Sequence, residues 1–373
     1  MSERANDVVV VGSRCAGAAT AMLLARRGLR VTVVERTRTP ADTLSTHGIA
    51  RGGVVQLARW GLLDAVLASG APPIRQVVFN VDGDETVRTI RDHAGVDHLI
   101  APRRYLLDEI LAGAAREAGA TIRTGVTATE ALRGGDGRVA GVRTSGGDIP
   151  ARLTVGADGV RSRIANLVGS EIVESFPADA ATFYVYVAAL ENRGFEYHVG
   201  RGAFAGVFPT HDGESCVWVC GPTSIAPQAT TGFADLLAQV SPSLAARVRQ
   251  GHVTSRVRGA ARLPNHRRRA TGPGWALVGD AGYHRDPITG HGMTDAFRDA
   301  ELLARNLDNL PEYERLRDAA AAEVFAITRD MTRFPEPARF TELQRRLGRV
   351  LDEEATMLAA LPQKEALPQG ELV

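Results

Sequence analysis

The stretch DVVVVGSRCAGAATAMLLARRGLRVTVVE, residues 7 to 35, decides the fold of this chain. The valines at 8 to 11 form an apolar run typical of a buried strand, and a short glycine-containing loop follows at 12 to 17. An alanine- and leucine-rich segment then predicts a helix that stops at Gly28, and a second apolar run ends in Glu35. A strand, a loop, a helix and a strand in this order form the βαβ unit of a dinucleotide-binding fold.

The glycine loop departs from the usual fingerprint at one position. Gly12 and Gly17 hold the outer positions of the G-x-G-x-x-G pattern, but Arg14 stands where the middle glycine normally lets the backbone approach a pyrophosphate. A guanidinium there can contact the phosphates through paired hydrogen bonds; the alternative is a βα turn with an exposed arginine. Glu35 ends the second strand, where a carboxylate is expected to meet the ribose hydroxyls of an adenosine.

Composition excludes several kinds of partner and mechanism. The 373 residues are 44% hydrophobic with a formal net charge of +1, so nothing favours nucleic acid or an anionic membrane as a partner. Lys364 is the single lysine, which excludes a Schiff base or a P-loop in the body of the chain. The valine run is too short for a signal peptide or a membrane span, and an odd count of 3 cysteines predicts a reducing compartment, so we expect a cytoplasmic protein.

The hydrophobic pattern changes along the chain, which predicts two interleaved parts. Aromatic and β-branched residues alternate between 180 and 262, as in antiparallel strands, and a hairpin is predicted at 76 to 90. Helical patterns lie at 54–67, 103–118, 233–250 and 294–309. We therefore predict an α/β protein with a discontinuous Rossmann-like domain (1–75, 100–178 and 265–310), an inserted mixed or antiparallel β-sheet domain that binds substrate (76–99 and 179–264) and C-terminal helices (311–373).

Two further motifs follow the βαβ unit. The sequence Gly-Ala-Asp-Gly at 156 to 159 ends a predicted strand. Farther along, an apolar run ends in Gly279-Asp280 and leads through a Pro/Gly loop at 287 to 292 into a helical pattern. A strand, a turn and a helix in this order direct loop N–H groups and a positive helix end at a ligand.

Together the three motifs resemble those of the FAD-dependent monooxygenases of the aromatic hydroxylase type, from residue 7 to about residue 305. The resemblance implies FAD as cofactor, with NAD(P)H as a transient co-substrate and O2 as the oxidant. It implies hydroxylation of an electron-rich small molecule through a flavin C4a-hydroperoxide. Asp280 would bind the ribityl chain, and the loop at 287 to 292 would lie along the pyrimidine edge of the flavin. The cofactor-binding residues implied in this way are Gly12, Arg14, Gly17, Glu35, Arg36, Arg51, Arg104, Val126, Asp158, Asp280, Pro287, Gly290, His291 and Gly292.

The sequence gives fewer indications of the residues that contact the substrate. Tyr184, Phe208 and Trp218 alternate on predicted strands, where they line a substrate cavity or form core. His47 lies in a loop and is the fourth predicted substrate contact, whereas His291 departs from the small residues usual in the flavin loop. Loop histidines are more often structural, so no catalytic acid or base is assigned, and no metal site is predicted.

Three alternatives stay open beside hydroxylation. Flavin-dependent halogenases share this scaffold but need a tunnel lysine and a Trp-x-Trp-x-Ile-Pro segment, and Trp218-Val219-Cys220 lacks the second tryptophan. Geranylgeranyl-reductase-like enzymes carry the same FAD motifs and a strand end like Phe208-Pro209, which favours a reductase of a prenyl or polyketide double bond. A flavin- or ligand-sensing protein without turnover is the third. The expected partners are a small molecule and O2, in a monomer or a homodimer.

Overall fold

A computed structural model describes residues 6–38 and 42–362, so parts of the predicted first domain and of the C-terminal segment, including Lys364, lie outside the described residues. The strands are β1 (Asn6–Val11), β2 (Val31–Glu35), β3 (Gln76–Val81), β4 (Asp84–Thr89), β5 (Thr121–Thr124), β6 (Ala128–Arg133), β7 (Val139–Thr144), β8 (Gly147–Gly156), β9 (Ile172–Phe176), β10 (Ala180–Ala188), β11 (Phe195–Gly200), β12 (Ala203–Pro209), β13 (Glu214–Pro222), β14 (His252–Val253), β15 (Arg258–Ala261), β16 (Asn265–Arg268), β17 (Thr271–Gly272), β18 (Trp275–Leu277) and β19 (Tyr283–His284).

Helices cover both sheets. They are α1 (Cys15–Arg26), α2 (Arg51–Arg59), α3 (Leu63–Ala68), α4 (Arg104–Glu117), α5 (Arg163–Leu167), α6 (Ala226–Thr231), α7 (Phe233–Val240), α8 (Pro242–Gln250), α9 (Gly292–Arg305), α10 (Leu310–Met331) and α11 (Pro337–Ala360). Among these described helices, none is both long and apolar enough to cross a lipid bilayer.

The first sheet is organised around β1. This strand pairs in parallel with β2 on one side and with β8 on the other, in the strand order β17-β18-β8-β1-β2-β5. Val8 and Val10 pack in the core that contains α1 and α9, whereas Val9 and Val11 pack in a separate core with β7 and α5. Burial on both faces is what a central parallel strand requires, and it explains the unbroken valine run. The predicted Rossmann-like βαβ unit is confirmed.

The second sheet is mixed, as predicted. Its order is β14-β10-β13-β12-β11-β3-β4, and its described pairs are antiparallel except the parallel pair of β3 with β11. Alternate side chains of β13 point to opposite faces of the sheet and pack in two different hydrophobic cores. Val217 and Val219 face α6, α7 and α8, whereas Cys216, Trp218 and Cys220 face α10 and α11. A third sheet of β19, β16 and β9 lies beside α10.

Two helices predicted as continuous are divided. The pattern at 54 to 67 ends as a helix at Arg59 and resumes at Leu63, since Gly61 between them adopts a φ of +73°. The pattern at 233 to 250 is divided at Ser241, whose extended backbone ends α7 and whose hydroxyl accepts from the Leu244 N–H to cap α8. Apolar periodicity does not register such interruptions, because the same face stays buried on both sides of the break.

Candidate functional site

The loop after β1 leaves the first turn of α1 open to a ligand. Gly12 has a φ of +103°, and a Cβ there would lie 2.4 Å from the Ala157 carbonyl oxygen, so the turn accepts only glycine. No side chain caps α1, and the N–H groups of Ala16 and Gly17 have no hydrogen-bond partner among the described residues. Free donors at a helix N-terminus are a favourable place for a phosphate group.

Glu35 holds the turn at the end of β2 with both carboxylate oxygens. Oε2 accepts from the Ser13 N–H at 3.0 Å, and Oε1 accepts from the Thr37 N–H at 2.9 Å. Burial acts to raise the pKa of Glu35, but the hydrogen bonds from Thr37 and Ser13 outweigh it and hold that pKa below its usual value. Glu35 is therefore a carboxylate. Its oxygens also accept from the hydroxyls of Ser13 at 3.3 Å and Thr37 at 2.8 Å, so a ligand hydroxyl would take the place of one of these two rotatable donors.

Three other predicted cofactor residues lie around Glu35. The Val126 N–H donates to the Glu35 carbonyl at 2.9 Å, which places it at the same sheet edge. Arg36 follows directly and its side chain is exposed. Arg14 precedes α1 as its N-cap residue, and its charge acts on the Glu35 carboxylate. The structure thus brings the predicted adenosine-side residues together.

Arg104 is partly buried at the beginning of α4, and the negative charge of Asp280 acts on its guanidinium. Its Nη2 donates to Asp108 Oδ1 at 3.1 Å, while its buried Nε has no partner among the described residues. Burial acts to lower the pKa of Arg104, but the Cys15 thiol and the carboxylates of Asp108 and Asp280 raise it above its usual value. The guanidinium is charged, and its Nε–H is available to a ligand.

The carboxylate of Asp280 faces the N-terminus of α9. A Cβ on Gly292 would lie 3.9 Å from Asp280 Oδ1, and this carboxylate makes no hydrogen bond or ion pair with a described residue. A single helical turn spans Pro287–Thr289. Gly290 follows it with a φ of +63° and open space on its Cβ side. No side chain caps α9. A free carboxylate beside an uncapped helix end can bind a ligand that offers both hydroxyls and negative charge.

Asp158 is engaged within its own loop. Its Oδ2 accepts from the N–H groups of Arg163 at 2.7 Å and Ile164 at 3.1 Å, and its Oδ1 accepts from the Ser162 hydroxyl. These bonds fix the beginning of α5. A contact between Asp158 and a cofactor stays a prediction.

A cavity of about 270 Å³ lies between the loop at 287 to 290 and the second sheet. Phe208 and Trp218, two of the predicted substrate contacts, belong to its wall. Gly48 fits closely against Phe208, because a Cβ there would lie 3.0 Å from the Phe208 ring. Residues from both sides of the cavity include Thr46, Ile49, Val77, Phe79, Thr182, Phe195, Tyr197, Pro287, Ile288, Thr289 and Gly290.

His47 and Tyr184 lie together behind this wall rather than in it. His47 is buried, adopts a φ of +68°, and stacks on Tyr186 with ring centroids 5.7 Å apart. Its Nε2 lies 2.5 Å from the Tyr186 hydroxyl, which donates to Asp42 Oδ2 at 3.1 Å. The Tyr184 hydroxyl accepts from the Ser45 N–H at 3.5 Å. Their contact with a substrate stays a prediction.

The hydrogen-bond direction fixes the His47 tautomer. The Asp42 carboxylate only accepts, so the Tyr186 hydroxyl donates to Asp42 and accepts a hydrogen bond from the Nε2–H group of His47. The Nδ1 atom is then a bare acceptor, and it has no partner among the described residues. Burial outweighs the nearby Asp42 charge and lowers the pKa of His47 to about 3. The ring is therefore neutral at physiological pH.

Arg51 and His291 connect the cavity to the last helix. Arg51 lines the cavity, and its Nε lies 3.2 Å from Asp352 Oδ1 while its Nη1 donates to the Val96 carbonyl. His291 is buried with its Nε2 at 2.9 Å from Glu354 Oε2. A pyrophosphate contact for Arg51 and a flavin contact for the His291 ring stay predictions, since both side chains are already paired.

These residues fit FAD. An uncapped helix beside Arg14 suits a pyrophosphate, the Glu35 carboxylate suits a ribose, and the unpaired Asp280 carboxylate suits a ribityl chain. A family model described as an FAD binding domain matches residues 5–334. The chain belongs to this FAD binding domain family. It is therefore an FAD-dependent oxidoreductase, an enzyme with the cofactor that the motifs predict.

Curated relatives of the FAD-binding chain include hydroxylases and reductases. It is 27% identical over 308 residues to the "Digeranylgeranylglycerophospholipid reductase" of Methanothrix thermoacetophila, covering 78% of this chain and 75% of that protein. It is 27% identical over 385 residues to the "Ubiquinone hydroxylase UbiL" of Rhodospirillum rubrum, covering 93% and 86%. The two relatives share the scaffold but bear names of different reactions.

Solved flavoprotein structures share the fold. PqsL of Pseudomonas aeruginosa, described as a probable FAD-dependent monooxygenase, matches with a TM-score of 0.77 and 22% identity, over 92% of this chain and 100% of that one. The flavin-dependent brominase Bmp2 matches with a TM-score of 0.78 and 17% identity, over 94% of each chain. The predicted architecture of a Rossmann-like FAD domain with a second sheet and C-terminal helices is confirmed.

One wall of the flavoenzyme's cavity was not predicted. It is formed by a face of α11, where Gln344, Leu347, Gly348 and Leu351 line the cavity. The spacing of these residues indicates one side of a helix, but periodicity does not say which part of the protein that side covers. Their role is visible only once α11 is packed against α2 and the second sheet.

The cluster around His291 also offers three metal-ligand atoms. His291, Asp295 and Glu354 each place one such atom within 4.8 Å of the others. Arg298 Nη1, however, lies 2.8 Å from Asp295 and 3.1 Å from Glu354, and Arg285 Nη2 lies 2.6 Å from Asp295. The two guanidinium groups therefore already neutralise the carboxylates that would have to bind a metal ion.

Proposed function

We propose that this enzyme is a monooxygenase that uses NAD(P)H and O2 to hydroxylate an electron-rich, largely apolar small molecule. The observation that carries the proposal is the cavity of about 270 Å³ between the loop at 287 to 290 and the aromatic side chains of the second sheet. Largely apolar walls of this kind can hold a ring system beside a cofactor and limit the access of water, which reduces side reactions of reactive intermediates.

Different residues of the chain would bind different parts of FAD. When bound, FAD supplies the redox and oxygen chemistry, and the protein supplies binding, orientation and exclusion of water. Glu35 would accept from the adenosine ribose, and Asp280 would accept from the ribityl hydroxyls. The uncapped end of α9 at Gly292 would stabilise negative charge on the flavin ring.

The second sheet would provide the substrate side. Phe208 and Trp218 belong to strands of that sheet, which supports the division into a cofactor domain and a substrate domain at residues 76–99 and 179–264. The relative named ubiquinone hydroxylase supports oxygenation as the reaction type.

Rapid mixing of the holoenzyme with NADH and with NADPH tests the proposal. We expect anaerobic bleaching of the flavin by one nucleotide, faster in the presence of a suitable aromatic compound such as 1-naphthol. Readmission of O2 should restore the oxidised spectrum and consume oxygen. Failure of both nucleotides to reduce the flavin, with and without a panel of aromatic compounds, contradicts the proposal.

A reductase acting on a prenyl or polyketide double bond is the second candidate. The relative from Methanothrix thermoacetophila bears the name of such a reductase, and an apolar cavity accommodates an alkene as readily as an aromatic ring. The products separate the two functions, because reduction adds hydrogen without oxygen. Halogenation has less support, since the brominase likeness concerns the fold alone and Lys364, the only lysine, lies in the C-terminal tail.

A further inference from the structure

Charged side chains are few in the wall of the cavity. The charged residues among those that line it are Arg51, Arg88 and Asp352. Arg51 Nε lies 3.2 Å from Asp352 Oδ1, so the charges of these two side chains offset each other. Arg88 forms no hydrogen bond or ion pair with a described residue. The wall therefore carries one positive charge that no carboxylate of the described chain balances, and that charge belongs to Arg88.

The strand pairing directs the side chain of Arg88 to the cavity. Arg88 on β4 lies directly opposite Val77 on β3, and opposed residues of an antiparallel pair project from the same face of a sheet. Val77 and Phe79 both line the cavity, so this is the cavity face. The guanidinium carbon of Arg88 lies 5.9 Å from the centre of the Phe79 ring. Because Arg88 is exposed, its charge lies where the cavity opens to solvent.

Arg88 and the loop at 287 to 290 lie at different ends of the cavity. Burial and then the nearby Asp286 carboxylate raise the pKa of the Cys220 thiol, which places the beginning of that loop beside β13. In the second sheet, β13 is separated from the edge strand β4 by β12, β11 and β3. Neighbouring strands lie about 4.8 Å apart, so roughly 19 Å separates β13 from β4. Each of these five strands contributes lining residues, so the cavity is elongated across the sheet.

We propose that the ligand of this cavity is an elongated apolar compound with an anionic group, such as a carboxylate, at the end remote from the loop at 287 to 290, and that Arg88 binds this group. A guanidinium binds a carboxylate through paired hydrogen bonds. At the open end of the cavity the pair keeps much of its hydration, so it forms without the desolvation cost of a buried ion pair.

This inference rests on the proposed function only in taking the cavity as the substrate site. It adds a requirement on substrate chemistry, because the walls select an apolar body and Arg88 selects a negative charge at one end of it. It also fixes the direction of binding, since the apolar end enters first and reaches the loop at 287 to 290.

A matched pair of probes tests the requirement by calorimetric titration of the FAD-loaded protein. 6-Phenylhexanoate and 6-phenylhexanamide have nearly the same shape, but only the first is charged. At low salt the carboxylate should bind about three- to fivefold more tightly than the amide. In about 1 M salt, where the screening length is about 3 Å, the ratio should fall toward one.

Variants assign the preference to one side chain. Arg88→Gln should reduce the affinity ratio to near one with an unchanged temperature of unfolding, because Arg88 is exposed, and Arg88→Lys should keep part of the ratio. Arg345→Gln is the matched control. It removes an exposed positive charge from α11 outside the wall of the cavity, so it should keep the ratio of the wild type.

Gly348 offers a variant that shows where the probes bind. This residue lines the cavity from α11, and nothing lies within 4 Å of a Cβ added to it. Gly348→Leu should therefore fill part of the cavity and weaken the binding of both probes without loss of stability, since leucine favours a helix more than glycine does.

Four results would overturn the inference: no binding of the carboxylate, equal affinities for the two probes in the wild type, an unchanged ratio in Arg88→Gln, or unchanged binding of both probes in Gly348→Leu. None of these results depends on reduction of the flavin or on oxygen, so failure of the proposed reaction would be seen separately.

Discussion

The imidazole of His291 lies 2.9 Å from the carboxylate of Glu354, which joins the loop before α9 to the C-terminal helix α11. Glu354 also pairs with Arg298, and both partners are almost fully buried. Burial acts to raise the pKa of Glu354, but His291 and Arg298 lower it to about 2. The last helix is thus tied by buried charge to the residues that precede the helix expected to face the flavin.

Replacement of Glu354 tests this connection. Glu354→Gln keeps the shape but leaves Arg298 with less negative charge in a buried place, so we expect the free energy of unfolding to fall by about 3 kcal/mol. FAD should bind about tenfold more weakly, because the loop before α9 loses an anchor. Urea unfolding and fluorescence of released FAD measure the two effects. Arg346 lies on the same helix as Glu354 and forms an exposed ion pair with Glu323 of α10, so Arg346→Gln should change neither property by more than about 1 kcal/mol. Equal stability of the two variants would contradict the account.

Gly12 and Gly28 form a matched pair of glycines with positive φ. At Gly12 an added Cβ would meet the Ala157 carbonyl oxygen at 2.4 Å, whereas at Gly28 nothing lies within 4 Å. We expect Gly12→Ala to cost about 3 kcal/mol or more and to abolish tight FAD binding, since it displaces the phosphate loop. Gly28→Ala should cost about 1 kcal/mol and leave FAD binding unchanged. Thermal unfolding and FAD titration distinguish them, and similar losses would argue against a role for the tight turn.

Replacement of Asp280 distinguishes an effect on cofactor binding from an effect on folding stability. Because its carboxylate is unpaired among the described residues, Asp280→Ala should leave the stability of the apoprotein nearly unchanged. The loss of a charged acceptor should weaken FAD binding about tenfold to a hundredfold. Asp235→Ala, which removes a carboxylate with an 86% exposed side chain, is the control and should affect neither property. FAD affinity equal to the wild type in Asp280→Ala would remove Asp280 from the cofactor site.

His47 predicts a specific dependence of stability on pH. Burial lowers the pKa of His47 to about 3 in the folded protein, against the usual 6.5, so below pH 6.5 the unfolded chain binds a proton that the folded protein does not. Stability is therefore lost as the pH falls from about 6.5 toward 3, by about 2 kcal/mol between pH 7 and 5. His47→Asn tolerates the positive φ and should unfold with a smaller loss over that range. Unfolding curves with the same pH dependence in both proteins would refute this assignment.

The local parts of the fold could be predicted because their signals lie close together in the sequence. The strand, the glycine loop and the carboxylate of Glu35 occur within one short segment, and the strand alternation around Trp218 has a period of two. The order of the three FAD motifs gave the cofactor and the scaffold. These features depend on neighbours along the chain or on a resemblance between motifs.

The parts that were missed depend on distant pairing. Tyr186 and Asp42 are 144 residues apart in the sequence, and Arg51 and Asp352 are 301 residues apart. No local sequence pattern therefore predicts either contact. The face of α11 that lines the cavity looks in sequence like any amphipathic helix. Which loop arginine contacts a ligand and which contacts another helix is decided by packing, and sequence periodicity carries no information on that choice.

The most direct test of the central claim is the fate of molecular oxygen. The compound that most accelerates NAD(P)H oxidation by the holoenzyme should be incubated under 18O2, and its product examined by mass spectrometry. The account predicts one 18O atom in each product molecule. A product that has gained hydrogen and no 18O would contradict oxygenation and establish the flavin cavity as the site of a reductase.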